Sequence, residues 1–245
     1  MPAQSRTAIV TGSARRVGAE IVRALLADGW AVVAHIRREA DPVCEGAVQA
    51  VADLSEAGCA EAIFAAAEGL PPVRLLINNA ARFAHDDFEG FNPAEFDRHM
   101  AVNVRGPLQL IERFAAQHDG TSDALVVNIL DAKLAAPNSD FLSYTVSKYA
   151  LAGVTELAAR ALSGKAIRVN GIGPALMLRS KGQSAENFET MHRANPLGHG
   201  VGPGDVMTAI RYLLDSPAVT GEVLTLDGGQ RFWSPSRDVQ FLERR

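Results

Sequence analysis

The residues whose types and spacing could do chemistry cluster in two places. Tyr144 and Lys148 stand four apart in Y-T-V-S-K, and on a helix that spacing puts both on one face. An ammonium beside a phenol lowers the phenol pKa from about 10 towards working pH. Tyr144 is therefore expected to donate a proton. At the other place, T-G-S-A-R-R-V-G (Thr11–Gly18) follows the apolar run Thr7–Val10 and opens an amphipathic stretch. Strand, tight turn and helix N-terminus in that order cradle a pyrophosphate, although an ordinary turn between a strand and a helix gives a similar pattern. No histidine pair has metal-ligand spacing, so no metal is expected.

Positioning such groups requires a sheet with crossover helices. Short apolar runs alternate with helical periodicity, the one-dimensional signature of a parallel α/β fold. Strands are expected at Thr7–Val10, Trp30–Ile36, Val48–Ala52, Val73–Asn78, Ala124–Leu130, Ile167–Ile172 and Glu222–Leu226. They read as apolar on both faces, as buried central strands do. Helical patterns cover Gly18–Asp28, Glu56–Glu68, Pro93–Val102, Gly106–His118, Ser139–Leu162 and Pro203–Asp215, with Gly29 and Gly164 placed as C-terminal glycines. The expectation is one doubly wound, Rossmann-type α/β domain over residues 1–245 with about seven strands. Residues 173–204 form a substrate loop without a clean period. There Leu176, Met177, Leu178, Phe188 and Met191 either line a flat apolar site or pack a short lid helix.

Composition narrows the partner. The chain has 245 residues, 47% of them hydrophobic and 21% charged, with a formal net charge of −4; it reads as a folded protein with no basic footprint for nucleic acid or an anionic membrane. Cys44 and Cys59 make neither a disulfide framework nor a zinc pattern, and no apolar run reaches membrane-span length. A small-molecule ligand and a cytoplasmic setting are expected.

The second strand ends His35-Ile36-Arg37-Arg38, with Glu39 only afterwards. An acid there would bind a ribose 2′-hydroxyl, whereas basic residues accommodate a 2′-phosphate. His35, Arg37 and Arg38 therefore point to NADPH, while each alone reads equally as a surface residue.

The turn resembles the T-G-x-x-x-G-x-G of short-chain dehydrogenases/reductases, with Arg16 at the middle glycine. Asn103 in H-M-A-V-N-V, the strand end I-N-N-A with Asn79 and Ala80, Y-x-x-x-K and T-L-D-G-G extend the resemblance over nearly the whole chain. It implies Gly12, Arg15, Arg16, Val17, Gly18, Asn79, Ala80 and Lys148 at the cofactor, and Asn103 holding a relay water near Lys148. Asp53 would accept from the adenine amino group; capping the next helix is an equal reading.

Where that family has a serine about a dozen residues before the tyrosine, this chain has Asp131. A carboxylate opposes a developing alkoxide, but a protonated one can feed a proton to a C=N bond if burial raises its pKa. This departure, Arg16, His35-x-x-Arg38 and Phe83 after N-N-A resemble the pteridine reductase and dihydromonapterin reductase branch. The resemblance implies Arg16, Phe83, Asp131 and Tyr144 at a pterin, with Phe83 stacking on it; Phe83 as a core or lid residue is the alternative. It also implies a homotetramer, with the Arg231–Pro235 tail at a subunit contact or a neighbour's pocket. Rival readings are a carbonyl reductase of the same fold, acting for example on 3-oxoacyl groups, and a non-catalytic dinucleotide sensor.

Overall fold

The computed structural model describes residues 6–180, 182–233 and 236–242. Seven parallel strands form one sheet in the order β3-β2-β1-β4-β5-β6-β7. They are β1 (Thr7–Val10), β2 (Ala31–Ile36), β3 (Val48–Val51), β4 (Val73–Asn78), β5 (Ala124–Ile129), β6 (Ile167–Pro174) and β7 (Val223–Leu226). The order reverses between β1 and β4, and the crevice beyond the carboxyl ends there is where such sheets take ligands.

Side-chain alternation divides the core in two. Ala8, Val10, Val32, Leu75, Ile77, Leu125 and Val127 face one layer, which contains α1 (Arg16–Ala27) and α7 (Pro203–Asp215). Ile9, Val33, Leu76, Val126 and Val169 face the other, with α2 (Cys59–Ala65), α4 (Gly106–Gln117) and α5 (Leu142–Leu162). The two-residue period makes both faces of every central strand apolar.

The expected strands all form, but the edges differ from a fully buried reading. Val48 and Val51 of β3 and Val223 of β7 are exposed, because an edge strand has a sheet neighbour on one side only. Several helices also begin or end elsewhere; α1, for example, starts two residues early, at Arg16. The Glu56–Glu68 pattern contracts to α2. α3 (Pro93–Met100) passes through a wide turn, Ala101–Arg105, into α4; Gly106 is required there, since a Cβ would lie 2.9 Å from the Leu54 carbonyl oxygen.

α5 starts at Leu142 instead of Ser139, after Phe141 in a left-handed conformation (φ 55°). Gly29 takes the expected left-handed geometry. Gly164 does not: a short 3₁₀ turn follows α5 and Ala166 carries the positive φ. The long loop contains a further helix, α6 (Ala185–His192), capped by the Ser184 side chain on Asn187 N. Among the described residues no helix is long and apolar enough to cross a membrane.

Candidate active site

The turn between β1 and α1 is built by close approach. Gly12 has φ 67°, and a Cβ there would meet Ala80 Cα at 2.8 Å; one on Gly18 would lie 2.2 Å from Gly12 O. Asn79 fixes the turn: its Nδ2 donates to Thr11 O (2.8 Å) and Gly12 O (3.2 Å), while Asn79 N and Ala80 N donate to Thr11 Oγ1. Above the turn lies a cleft of about 510 Å³ lined by Gly12, Arg15, Arg16, Val17, Gly18, His35, Arg37, Asp53, Asn79, Ala80 and Phe83 among others. The α1 N-terminus and backbone pressed this close fit the diphosphate of a dinucleotide.

The basic cluster divides its labour differently from the expectation. His35 is buried, not a phosphate ligand. Its Nδ1 accepts from Gly12 N (3.2 Å), so Nε2 donates to Ala52 O (3.0 Å), and burial holds its pKa below the usual histidine value. The neutral ring therefore fastens the turn to the strand end after β3. Arg37 pairs with Asp53 at 2.8 Å, and Asp53 Oδ1 accepts from Ser55 N and Oγ. Asp53 is thus occupied by a turn and an ion pair, and the hydrogen bond from Ser55 leads the causes that keep its carboxyl below the usual range. Arg38 and Arg15 are exposed, and neither guanidinium has a partner among the described residues.

A second cleft, about 250 Å³, shares Arg16, Val17 and Phe83 with the first and is lined by Asp131, Lys133, Tyr144, Ala175–Leu178 and the C-terminal residues Asp238 and Val239. Asp131 and Tyr144 meet on its wall: Tyr144 Oη donates to Asp131 Oδ2 at 2.8 Å, and Lys133 N donates to Asp131 Oδ1 at 2.9 Å. Desolvation raises the pKa of Asp131 against those hydrogen bonds. For Tyr144 the structure reverses the expected direction. Its phenol is raised well above the usual value by burial and by the Asp131 carboxylate.

Lys148 lies 5.6 Å from the Tyr144 ring and donates to Ile129 O (2.6 Å); burial lowers its own pKa to about 8. Ammonium and phenol are both desolvated, and the nearest charge to the phenol is negative. The pair Asp131–Tyr144 is accordingly a place to keep a proton.

Asn103 sits in the wide turn before α4, a distortion common at functional sites. Its Oδ1 accepts from Arg82 N (2.7 Å), and its Nδ2 donates to Arg82 O (3.0 Å) and Ser147 Oγ (2.9 Å). It clamps the segment after β4 to α5 one residue before Lys148. Phe83 is half exposed, stacked on Phe141 at 4.3 Å and edge-on to Tyr144 at 4.8 Å, so it is a platform between the clefts. Arg16 takes the left-handed geometry (φ 55°) that the middle glycine would suit, and donates to Arg179 O (3.2 Å) and Leu178 O (3.4 Å).

Several participants carried no signal in the sequence. Asp86, 57 residues from Ser143 in the chain, accepts from Ser143 N (2.9 Å) and from its hydroxyl, so it caps α5 from a distant loop. Ser143 thereby faces Asp86, not the phenol. Of the long loop, Leu176–Leu178 line the second cleft, whereas Phe188 stacks on His192 and Met191 is buried. In the Arg231–Pro235 tail, Phe232 and Trp233 are exposed, and Ser234 and Pro235 lie outside the described residues.

Residues 12–231 match the family model described as enoyl-(acyl carrier protein) reductase. The chain is 32% identical to human (Homo sapiens) L-xylulose reductase over 94% of its length and 97% of that protein's, and 29% identical to pteridine reductase 1 of Leishmania tarentolae over 91% and 95%. It superposes on the crystal structure of FolM alternative dihydrofolate reductase 1 from Brucella canis, complexed with NADP, with a TM-score of 0.86, 34% identity and coverage of 94% and 95%. A glycine turn under a dinucleotide-sized cleft and a Tyr-Lys helix beside it belong together for a reason: the chain is a member of the short-chain dehydrogenase/reductase family of nicotinamide-dependent oxidoreductases.

Proposed function

We propose that this protein reduces a C=N bond of a pteridine, a dihydropterin such as dihydromonapterin, to its tetrahydro form with NADPH. The observation that carries the reading is the Asp131 carboxylate, raised in pKa and 2.8 Å from the Tyr144 hydroxyl on the cleft wall. Relatives named pteridine reductase 1 and FolM alternative dihydrofolate reductase 1, the latter complexed with NADP, support it.

The reduced nicotinamide, when bound, supplies hydride to the ring carbon. Gly12, Gly18 and the α1 N-terminus hold the diphosphate, and Arg38, with Arg15 and the outer edge of Arg37, takes the 2′-phosphate. Phe83 offers its face to the heterocycle, and Arg16 spans the joint between the clefts. Asp131 and Tyr144 pass their proton to the ring nitrogen, and the freed carboxylate is then received by Lys133 N–H. Lys148, beside the Tyr144 ring and with its pKa lowered to about 8, returns a proton to the pair and is itself recharged from solvent before the next turnover. Asn103 keeps α5 in register with the segment after β4. Residues 173–204 are the substrate loop through Ala175–Leu178.

The test is NADPH oxidation with dihydromonapterin, dihydrobiopterin and dihydrofolate against L-xylulose and a 3-oxoacyl thioester. Pteridine turnover should dominate, and Asp131→Ser should reduce it by about 100-fold or more, the scale of one general-acid contribution. Undetectable pteridine turnover with efficient ketone reduction overturns the reading. That outcome would favour the carbonyl-reductase alternative, to which the L-xylulose reductase relative speaks.

A further inference from the structure

The end of the chain returns to its own cleft. Arg237 Nε donates to both carboxylate oxygens of Asp140 (3.0 and 2.8 Å), and Asp238 N donates to Asp140 Oδ2 (2.7 Å). The Phe241 ring lies 5.8 Å from Phe141 at 13°, and Leu242 O accepts from Asn187 Nδ2 (2.6 Å). These contacts hold Asp238 at the wall of the second cleft, three-quarters or more shielded from solvent.

There Asp238 Oδ2 accepts from Lys133 Nζ at 3.3 Å, across 105 residues of sequence. Lys133 is the residue whose backbone N–H holds Asp131. Its ammonium also donates to Asp140 O (2.5 Å) and lies over the Phe141 ring. An unpaired ammonium on the cleft wall that Lys133 shares with Asp131 would favour the ionised carboxylate and so weaken a proton donor. Asp238 offsets that charge.

We propose that Asp238 is a positioning residue for proton delivery: by neutralising Lys133 at the cleft wall, the C-terminal segment keeps the Asp131–Tyr144 pair holding the proton it passes to substrate. The inference rests on the donor role given to that pair above. The charged groups around the pair are few. Tyr144 and Lys148 come from α5, Lys133 from the 3₁₀ turn Ala132–Ala135, and Arg16 from α1; His99 of α3 lies 6.5 Å from the Tyr144 ring. Arg231, on the turn after β7, is already paired with Asp227 at 2.8 Å. Lys133–Asp238 is therefore the ion pair on the wall shared with Asp131, and both Asp131 and Tyr144 respond to the Asp238 charge in the direction of firmer proton binding, while Lys148 acts on Asp131 in the opposite direction.

The experiment is the pH profile of kcat/KM for wild type, Asp238→Asn, Lys133→Met and the double variant, using whichever substrate turns over. Asp238→Asn leaves Lys133 uncompensated, so the alkaline limb should move to lower pH by about one unit, a tenfold loss on that limb with little change at acid pH. Lys133→Met leaves two carboxylates facing each other and should move the limb the opposite way. The double variant should fall between them. NADPH binding by fluorescence titration should stay the same in all three, because the dinucleotide cleft does not include either residue.

A limb that does not move, shifts of the same sign in both single variants, or an equal loss at every pH would overturn the inference. Asp131→Asn separates the two failures. If it stays fully active, the donor reading is wrong; if it is inactive while Asp238→Asn reproduces the wild-type profile, only the role of Asp238 is wrong.

Discussion

Replacing Arg16 with glycine should leave stability intact while weakening substrate binding. Arg16 has φ 55° at the first residue of α1, a conformation that costs a residue with a Cβ about 1–2 kcal/mol. Glycine removes that cost but adds about 0.5–1 kcal/mol through its freer unfolded state. The balance is about 0 to +1.5 kcal/mol in favour of the variant, and a change of that size raises the Tm of a chain this long by no more than about 6 °C. What glycine cannot replace is the guanidinium that donates to Leu178 O and Arg179 O and lines both clefts. Those bonds are long and exposed, so their loss costs the fold little; a hydrogen bond from the charged guanidinium to a bound pteridine is worth about 1.5–3 kcal/mol, so its loss should raise the pteridine KM by about 10- to 100-fold. Thermal melting and steady-state kinetics on the same preparation read both effects. A variant that melts several degrees lower with KM unchanged would show that Arg16 is there for the fold, and would remove it from the substrate site.

Two further expectations concern charge. Arg38 has an exposed guanidinium with no partner among the described residues, so Arg38→Ala should weaken NADPH about 10-fold or more while leaving NADH binding unchanged, the scale of one hydrogen bond to a charged group; fluorescence titration with both nucleotides checks it. Lys148→Met should abolish turnover yet stabilise the protein near neutral pH. The fall of the Lys148 pKa from 10.5 to about 8 corresponds to about 3 kcal/mol of disfavoured charging, less whatever is lost with the bond to Ile129 O. The sign follows from proton uptake. Below pH 8 both states are charged and the folded state bears the full penalty; between pH 8 and 10.5 the unfolded state holds more protons and the penalty shrinks; above 10.5 it is gone. Denaturant melts should therefore show the advantage of the variant fading as pH rises through that window, and an advantage constant from pH 7 to 11 would contradict the assignment.

The sheet was legible because the information that forms it is local. A two-residue period in Thr7–Val10 or Leu75–Ile77 fills both layers, and the four-residue spacing of Tyr144 and Lys148 places them on one helix face. The position of Asp131 was likewise legible, from its offset to Tyr144. What could not be read depends on residues far apart in the chain. Asp86 reaches α5 across 57 residues and Lys133 meets Asp238 across 105, and no spacing rule connects such pairs. His35 was misread for a related reason: its neighbours Arg37 and Arg38 suggested phosphate, but whether a histidine at a strand end points to solvent or folds under the glycine turn depends on the depth of β2, which lies between two other strands. The direction of the Tyr144 shift failed because a lysine four residues away counts for less than burial and a carboxylate in contact.

That contact also bears on which substrate the site prefers. When a ketone is reduced, negative charge grows on oxygen, and a carboxylate facing that oxygen opposes it unless the carboxyl stays protonated throughout. When a C=N bond is reduced, the nitrogen takes the proton and the negative charge appears on the donor instead. Here the donor's charge has receivers in place: Lys133 N–H on one oxygen of Asp131 and the Tyr144 hydroxyl on the other. Donors already aimed at the carboxylate favour the state that follows proton transfer, while burial favours the state that precedes it. A group balanced between these two influences can give up a proton and regain it within one turnover. A serine in the same position would have no charge to gain, and an aspartate on the open surface would have no proton to give.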